Sequence, residues 1–204
     1  TQLATLKIDD TTENLLFLGF FIAFAIKAPL VPFHTWLPDA HVEAPTSVSI
    51  ILAALLLKTG TYGMIRFGAL ILPEIFMEHH AVLAIFGVVS IIYGALNALG
   101  SNDLKRMIAY SSISHMGFVI LGIASGTQTA IQGAIFQMVS HGLISTMLFL
   151  IAGILQDRTG DRIISHHSGL YQRMPGYAAI ILIAFFAAMG IPGFSAFIGE
   201  FLIL

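Results

Sequence analysis

Long apolar runs, each bounded by proline, glycine or charge, follow one another at approximately residues 14–31, 46–72, 80–99, 103–124, 128–155 and 176–204. A helix needs about 20 apolar residues to cross roughly 30 Å of hydrocarbon, so runs of this length predict membrane spans. In that solvent a helix satisfies its backbone polar groups within its own segment. The expected fold is therefore all-α: a polytopic transmembrane helix bundle filling residues 1–204 as one membrane unit, with no room left for a soluble domain. Charge agrees, since 10% of the residues are charged and 57% hydrophobic, where a soluble domain carries roughly 25% charged residues.

What the chain lacks narrows its chemistry. It has no cysteine, hence no thiolate for an iron–sulfur cluster, a disulfide or a Cys-type zinc site, and any redox step is expected elsewhere. A formal charge of −2 argues against nucleic acid as a partner and leaves the lipid bilayer as the expected surroundings. The polar opening from Thr1 to Asn14 lacks the positive flank and cleavage site of a signal peptide. The last residues, Phe201 to Leu204, stop inside an apolar run, so an internal fragment of a longer protein is expected.

Alternation sorts the charges by side. Lys105 and Arg106 lie near the junction of the third and fourth spans, and Arg158, Arg162 and Arg173 between the fifth and sixth, while Lys7 and Arg66 fall on the opposite side. Cytoplasmic loops carry the excess of lysine and arginine, so the loops after the first, third and fifth spans of this multi-pass chain are expected in the cytoplasm.

Two spans carry helix breakers. Pro29, in Lys27-Ala28-Pro29-Leu30-Val31-Pro32, has no N–H and its ring clashes with the carbonyl four residues back. Gly190-Ile191-Pro192-Gly193 interrupts the last span in the same way. These predict two discontinuous, Pro-broken helices. Backbone freed at membrane depth must be satisfied by protein or water, so such breaks either line a site, as in transporters, or are kinks absorbed by packing.

An ionisable residue accompanies each break. Lys27 stands two residues before Pro29, and Lys58 near the middle of the second span. A lysine at the bilayer centre costs about 2.5–3.5 kcal/mol even on the lenient insertion scale, and snorkelling rescues it only near a helix end. Burial favours a neutral amine, and an amine poised between its two forms is what a proton carrier needs; the alternative is a fixed ion pair. Glu200, an acid inside the last span, is either a proton acceptor or a helix-end carboxylate facing water. His115 and His141 offer intermediate steps, because Ser111, Ser114 and His115 share one helix face and Gln137, His141 and Ser145 another. Either histidine alone is as compatible with simple helix-to-helix hydrogen bonding.

Other groupings carry less. His34, Asp39, His41 and Glu43 follow the first span, and His79-His80 and His166-His167 are adjacent pairs, but spacing shows no convergence and no metal site is expected. They are expected as interfacial loop residues. Gly63, Gly68, Gly126 and Gly133 are expected to permit close helix packing.

Several long motifs, in order along the chain, point to a family. Phe24-Ala25-Ile26-Lys27-Ala28-Pro29, Pro32-Phe33-His34-Thr35-Trp36-Leu37-Pro38-Asp39-Ala40-His41 and Glu43-Ala44-Pro45-Thr46 resemble the antiporter-like membrane subunits of respiratory complex I. So do Leu56-Leu57-Lys58-Thr59-Gly60-Thr61-Tyr62-Gly63, the run from Asp103 to Gly117, and Gly190-Ile191-Pro192-Gly193. Glu200 stands where sister subunits usually carry lysine, which is most similar to the branch called chain M in bacteria and subunit 4 in mitochondria.

That resemblance implies part of an inverted-repeat antiporter-like fold, the seventh to twelfth helices of fourteen. It implies Lys27 as the lysine of the first broken helix, Lys58 as the central-axis lysine, His115 and His141 as connecting histidines and Glu200 as the exit-side acid. The glutamate that partners Lys27 in the family lies before Thr1. No cofactor is implied in this chain; flavin, iron–sulfur clusters and quinone belong to partner subunits. The resemblance implies proton translocation within an NADH:quinone oxidoreductase, beside other membrane subunits in a bacterial cytoplasmic (inner) membrane. The alternatives are a subunit of a multi-subunit sodium/proton antiporter or membrane-bound hydrogenase, and a non-conducting scaffold subunit whose charges are locked in ion pairs.

Overall fold

The computed structural model describes residues 9–204, so Thr1 and Lys7 lie outside the described residues. The first helix, α1 (Asp10–Lys27), starts where Asp9 accepts the Thr12 N–H at 3.1 Å, with Asp10 and Glu13 in the first turn and Lys27 in the last, each charge on the favourable end of the helix dipole. It stops at Lys27 because Pro29 disfavours the helical conformation of Ala28, which sits at φ −88° and ψ 23°. Helix resumes in α2 (Trp36–Glu43). Next comes α3 (Thr46–Ala69), which includes π-helical turns at Leu52–Leu56 and Met64–Ala69, on either side of the turn that carries Lys58. Then follow α4 (Pro73–Glu78), α5 (His80–Gly100), α6 (Leu104–Ala124), α7 (Gln128–Thr159), a short 3₁₀ turn, α8 (Leu170–Arg173), α9 (Pro175–Ala188) and α10 (Ser195–Ile203). No β-strand occurs among the described residues.

Four of these helices, α3, α5, α6 and α7, are long and apolar enough to cross a membrane, and α9 is a shorter apolar helix. The first apolar run, expected at 14–31, is helical from Asp10 and has ended before Pro29. The second stops at Ala69, after which α4 starts on Pro73. The last is two helices, α9 and α10, separated by residues 189–194, where Gly190 (φ +66°) and Gly193 (φ +104°) take left-handed conformations.

One apolar cluster joins α1, α3, α5 and α6 through Phe17, Leu57, Leu83, Met116 and Ile120. A second joins α6, α7 and α9 through Ile108, Leu148, Phe149 and Ala184. Outward faces are apolar as well: Leu15, Ile85, Leu99, Leu143 and Ile183 are all exposed. Contiguous faces of this kind need hydrocarbon or another apolar protein surface against them.

The loop after α2, the α5–α6 junction and the loop after α7 meet at one end of the bundle. Arg106 pairs with Asp39 at 2.7 Å, Lys105 donates to the Ala44 carbonyl at 3.1 Å, Arg162 donates to the Val42 carbonyl at 3.2 Å, and Arg162 also pairs with Asp103. Three of the positive charges that alternation grouped, Lys105, Arg106 and Arg162, therefore lie together. In the same loop the Ile163 N–H and the His166 side chain hold the Asp161 carboxyl below the usual carboxylate range.

Gly60 sets how closely α3 approaches the first break. A Cβ there would stand 2.7 Å from the Ala28 nitrogen and 2.9 Å from the Phe24 carbonyl oxygen, both backbone atoms that have no freedom to move aside. Gly60→Val is expected to separate α3 from the end of α1 at a cost of about 1–3 kcal/mol, read as a lower yield of assembled protein in a membrane extract.

Candidate functional site

Lys58 leaves the middle of α3 toward α7. Its Nζ donates to the carbonyl of Ala53 in the adjacent π-helical turn and lies 2.6 Å from His141 Nδ1. An ammonium only donates, so a charged Lys58 requires His141 Nδ1 to be the accepting nitrogen; a neutral amine can donate to it or, through its lone pair, accept from it. One proton thus bridges the pair. Lys58 also borders a groove of about 420 Å³ between α3 and α7, lined by Ala54, Tyr62, Met138, Gly142 and Thr146 among others.

His141 is buried in α7, and its ring faces that of His115 in α6 with 5.4 Å between centroids and 50° between planes. His115 Nδ1 lies 3.0 Å from Glu200 Oε1. A carboxylate accepts, so with Glu200 ionised Nδ1 carries the hydrogen. Gln137, one turn before His141, donates from Nε2 to the same oxygen at 3.0 Å. The result is a polar line through the bundle from α3 across α7 and α6 to α10: Lys58, His141, His115, Glu200.

The second break aims the end of this line. Residues 189–194 let α10 turn back beside α7, where Ser195 and Ser140 share a hydrogen bond of 2.7 Å and Gly133 packs against Gly199. Glu200 then reaches back toward Gly190, where a Cβ would stand 2.9 Å from Oε2. Only glycine suits both the left-handed φ and the carboxylate above it.

The structure does not bring every expected residue into the line. Lys27 is half-buried at the end of α1, and among the described residues no hydrogen bond or ion pair links it to Lys58. The nearest tie is through backbone, Ala28 against Gly60. Backbone freed near Pro29 is met by protein: Trp36 Nε1 donates to the Ile26 carbonyl at 3.0 Å, and the Val31 N–H donates to Ser90 Oγ at 3.1 Å. Ser114, expected on the His115 face, donates instead to the Ile91 carbonyl of α5. Ser111 and Ser145 do line the narrow cleft around His115 and His141.

Two histidines expected at the interface are interior. His41 is fully buried, stacked on Phe149 with 4.3 Å between centroids, and neither ring nitrogen has a partner among the described residues. His34 is 4% exposed and sits edge-on to Tyr93 at 4.8 Å. The prolines around them, Pro29, Pro32, Pro38 and Pro45, read as loop, whereas the chain folds back into the bundle as α2. Asp39 is committed to Arg106, and among the described residues no three His, Asp or Glu side chains converge as a metal site.

A family model described as "NADH:quinone oxidoreductase/Mrp antiporter, TM" matches residues 1–204. The NADH-quinone oxidoreductase subunit M of Rickettsia conorii is 50% identical over 192 residues, covering 94% of this chain and 39% of that protein, so the chain spans well under half the length of that curated relative. Among solved structures, a chain of respiratory complex I from Thermus thermophilus with bound NADH superposes with a TM-score of 0.92 at 40% identity, over 98% of this chain and 43% of that one. A chain of the Mrp complex from Dietzia sp. gives a TM-score of 0.90 at 27% identity, over 96% of this chain and 36% of that one.

Proposed function

The chain belongs to the NADH:quinone oxidoreductase/Mrp antiporter transmembrane family, and on that premise we propose that it forms the proton-carrying core of a membrane subunit of an NADH:quinone oxidoreductase. The observation that supports this reading is the line Lys58–His141–His115–Glu200, four titratable side chains joined by contacts of 2.6 and 3.0 Å and one imidazole pair. Each member offers both a protonated and an unprotonated form, which a structural ion pair does not need.

In this reading a proton held by Lys58 passes to His141, then to His115 by ring rotation or through a single water, and then to Glu200. Charge on one member disfavours protonation of its like-charged neighbour, so arrival of one proton expels the last. Lys27 feeds or gates the line from the first break rather than belonging to it. The arginine-rich end faces the cytoplasm of a bacterial cell by the positive-inside rule, and the apolar faces meet lipid and other membrane subunits. Electron transfer from NADH to quinone, through flavin and iron–sulfur clusters, takes place in those partners; this chain's residues hold and move protons only.

His141→Leu tests the proposal at its midpoint. In the intact complex, in inside-out vesicles, NADH-driven acidification is expected to fall by at least about tenfold with the complex still assembled. Undiminished acidification would remove His141 from the path and the reading with it. A sodium/proton antiporter subunit is the second reading, favoured by the match to the Mrp complex; the higher identity to subunit M and to complex I sets it behind. Sodium-dependent but NADH-independent proton exchange by the purified assembly would reverse that order.

A further inference from the structure

We infer that Gln137 is a positioning residue: its side-chain amide is the fixed donor that keeps Glu200 Oε1 in line with His115 while a proton passes between them. The inference rests on the proton-carrying reading of Glu200 given above.

The geometry is specific. Gln137 is fully buried in α7, and its Nε2 donates to Glu200 Oε1 at 3.0 Å, the oxygen that His115 Nδ1 also approaches at 3.0 Å. Its own Oε1 has no partner among the described residues. Reversing the amide would set that carbonyl oxygen against an ionised carboxylate, so charge selects the orientation in which Nε2 faces Glu200. Packing confines it further: a Cβ on Gly199 would stand 2.5 Å from Gln137 Oε1 and 3.1 Å from its Cα, so the bare backbone of α10 lies directly over the side chain. A residue serving only to fill this space would be apolar, since methionine or leucine fits without burying an unpaired acceptor. The glutamine is accounted for by the bond it donates.

The need for such a donor follows from the transfer. When His115 passes its proton on, the N–H bond at Nδ1 breaks with its electron pair left on the ring, and an O–H bond forms on Oε1. Imidazolium and carboxylate become neutral imidazole and carboxylic acid. The His115–Glu200 contact exchanges donor for acceptor in that step and so cannot by itself hold the carboxyl group still. An amide does not titrate, and its N–H donates to Oε1 before and after. The titratable groups around it are Glu200 from α10, His115 from α6 and, on its own helix, His141 with Lys58 of α3 behind it.

The test uses the complete complex with the full-length subunit, in inside-out vesicles, with acidification normalised to assembled complex across a pH series. Gln137→Met fills the volume without a donor and is expected to lower acidification about tenfold throughout, the loss of one hydrogen bond to a charged group. Gln137→Glu has the same shape and donates only when protonated. Its rate relative to wild type is expected to recover toward acid pH and fall toward alkaline pH, where two carboxylates would face each other. A packing role predicts instead that Gln137→Met equals wild type at every pH. That result, or a Gln137→Glu ratio that is flat with pH, overturns the inference, and should Gln137→Met not assemble, Gln137→Leu, which also fills the space without a donor, is measured in its place and decides on the same criterion. Glu200→Gln is measured alongside. Full acidification there defeats the reading of Glu200 itself, whereas its loss beside a fully active Gln137→Met defeats only the positioning role.

Discussion

Lys58→Arg is expected to cut NADH-driven proton translocation by at least about tenfold in the intact complex, although it keeps the positive charge. Arginine is effectively always protonated, so it can hold an ion pair but cannot release a proton to His141. That separates the two roles of a buried cation. If the protein were a scaffold whose charges are locked in place, arginine would serve; if Lys58 hands a proton on, it fails. Lys58→Ala is expected to fail equally, because it removes the Nζ that lies 2.6 Å from His141 Nδ1. The alanine variant should still assemble: an orphaned imidazole nitrogen costs about 1–3 kcal/mol, and removing the burial of an amine offsets part of that. Acidification of inside-out vesicles, set against the amount of assembled complex, checks both variants. An arginine variant that pumps normally would falsify the assignment of Lys58 as a carrier.

Glu200 carries the second large effect, and there shape and charge can be separated. Glu200→Ala strands two donors in the interior, His115 Nδ1 and Gln137 Nε2, at about 1–3 kcal/mol each. It also empties the space beside Gly190 that the carboxylate fills. The expected result is a complex of lowered thermal stability that does not pump. Glu200→Gln retains a carbonyl oxygen where both donors converge and nearly the same volume, so stability is expected to stay close to wild type. It cannot take up a proton, and translocation is again expected to fall by at least about tenfold. A thermal melt of the solubilised complex and the acidification assay together distinguish the variants. Equal pumping by Glu200→Gln and wild type would place the exit elsewhere.

Much of this was written in the chain. Apolar runs of spanning length force helices, because hydrocarbon leaves backbone groups no partner but their own segment. Lysines 27 and 58 stand out for the same reason: in that surrounding a charge without a purpose is selected against. Pro29 and the Gly190–Gly193 stretch mark where helix must stop, since a missing N–H and a left-handed φ are local properties of those residues. The resemblance in the Lys58, His115 and Gly190 motifs led to the family that the comparisons show.

Other features were not legible. Helical spacing put Ser114 with His115, yet its hydroxyl turns to α5, because a face two helices share has two neighbours and periodicity does not say which one a side chain meets. His34 and His41 read as loop residues, since nothing local announces that the chain after Pro29 folds inward again.

Sequence alone determined that this is a membrane helix bundle with interrupted helices and with titratable groups kept inside it, because each of those properties is fixed by a residue and its immediate neighbours. The tertiary structure decided the order Lys58, His141, His115, Glu200 and the place of Gln137. Those depend on contacts between residues 26 to 85 positions apart in the chain. Such contacts are set by how closely α6 and α10 pack on α7, a distance governed by Gly122, Gly133 and Gly199 on those three helices rather than by the reacting side chains themselves.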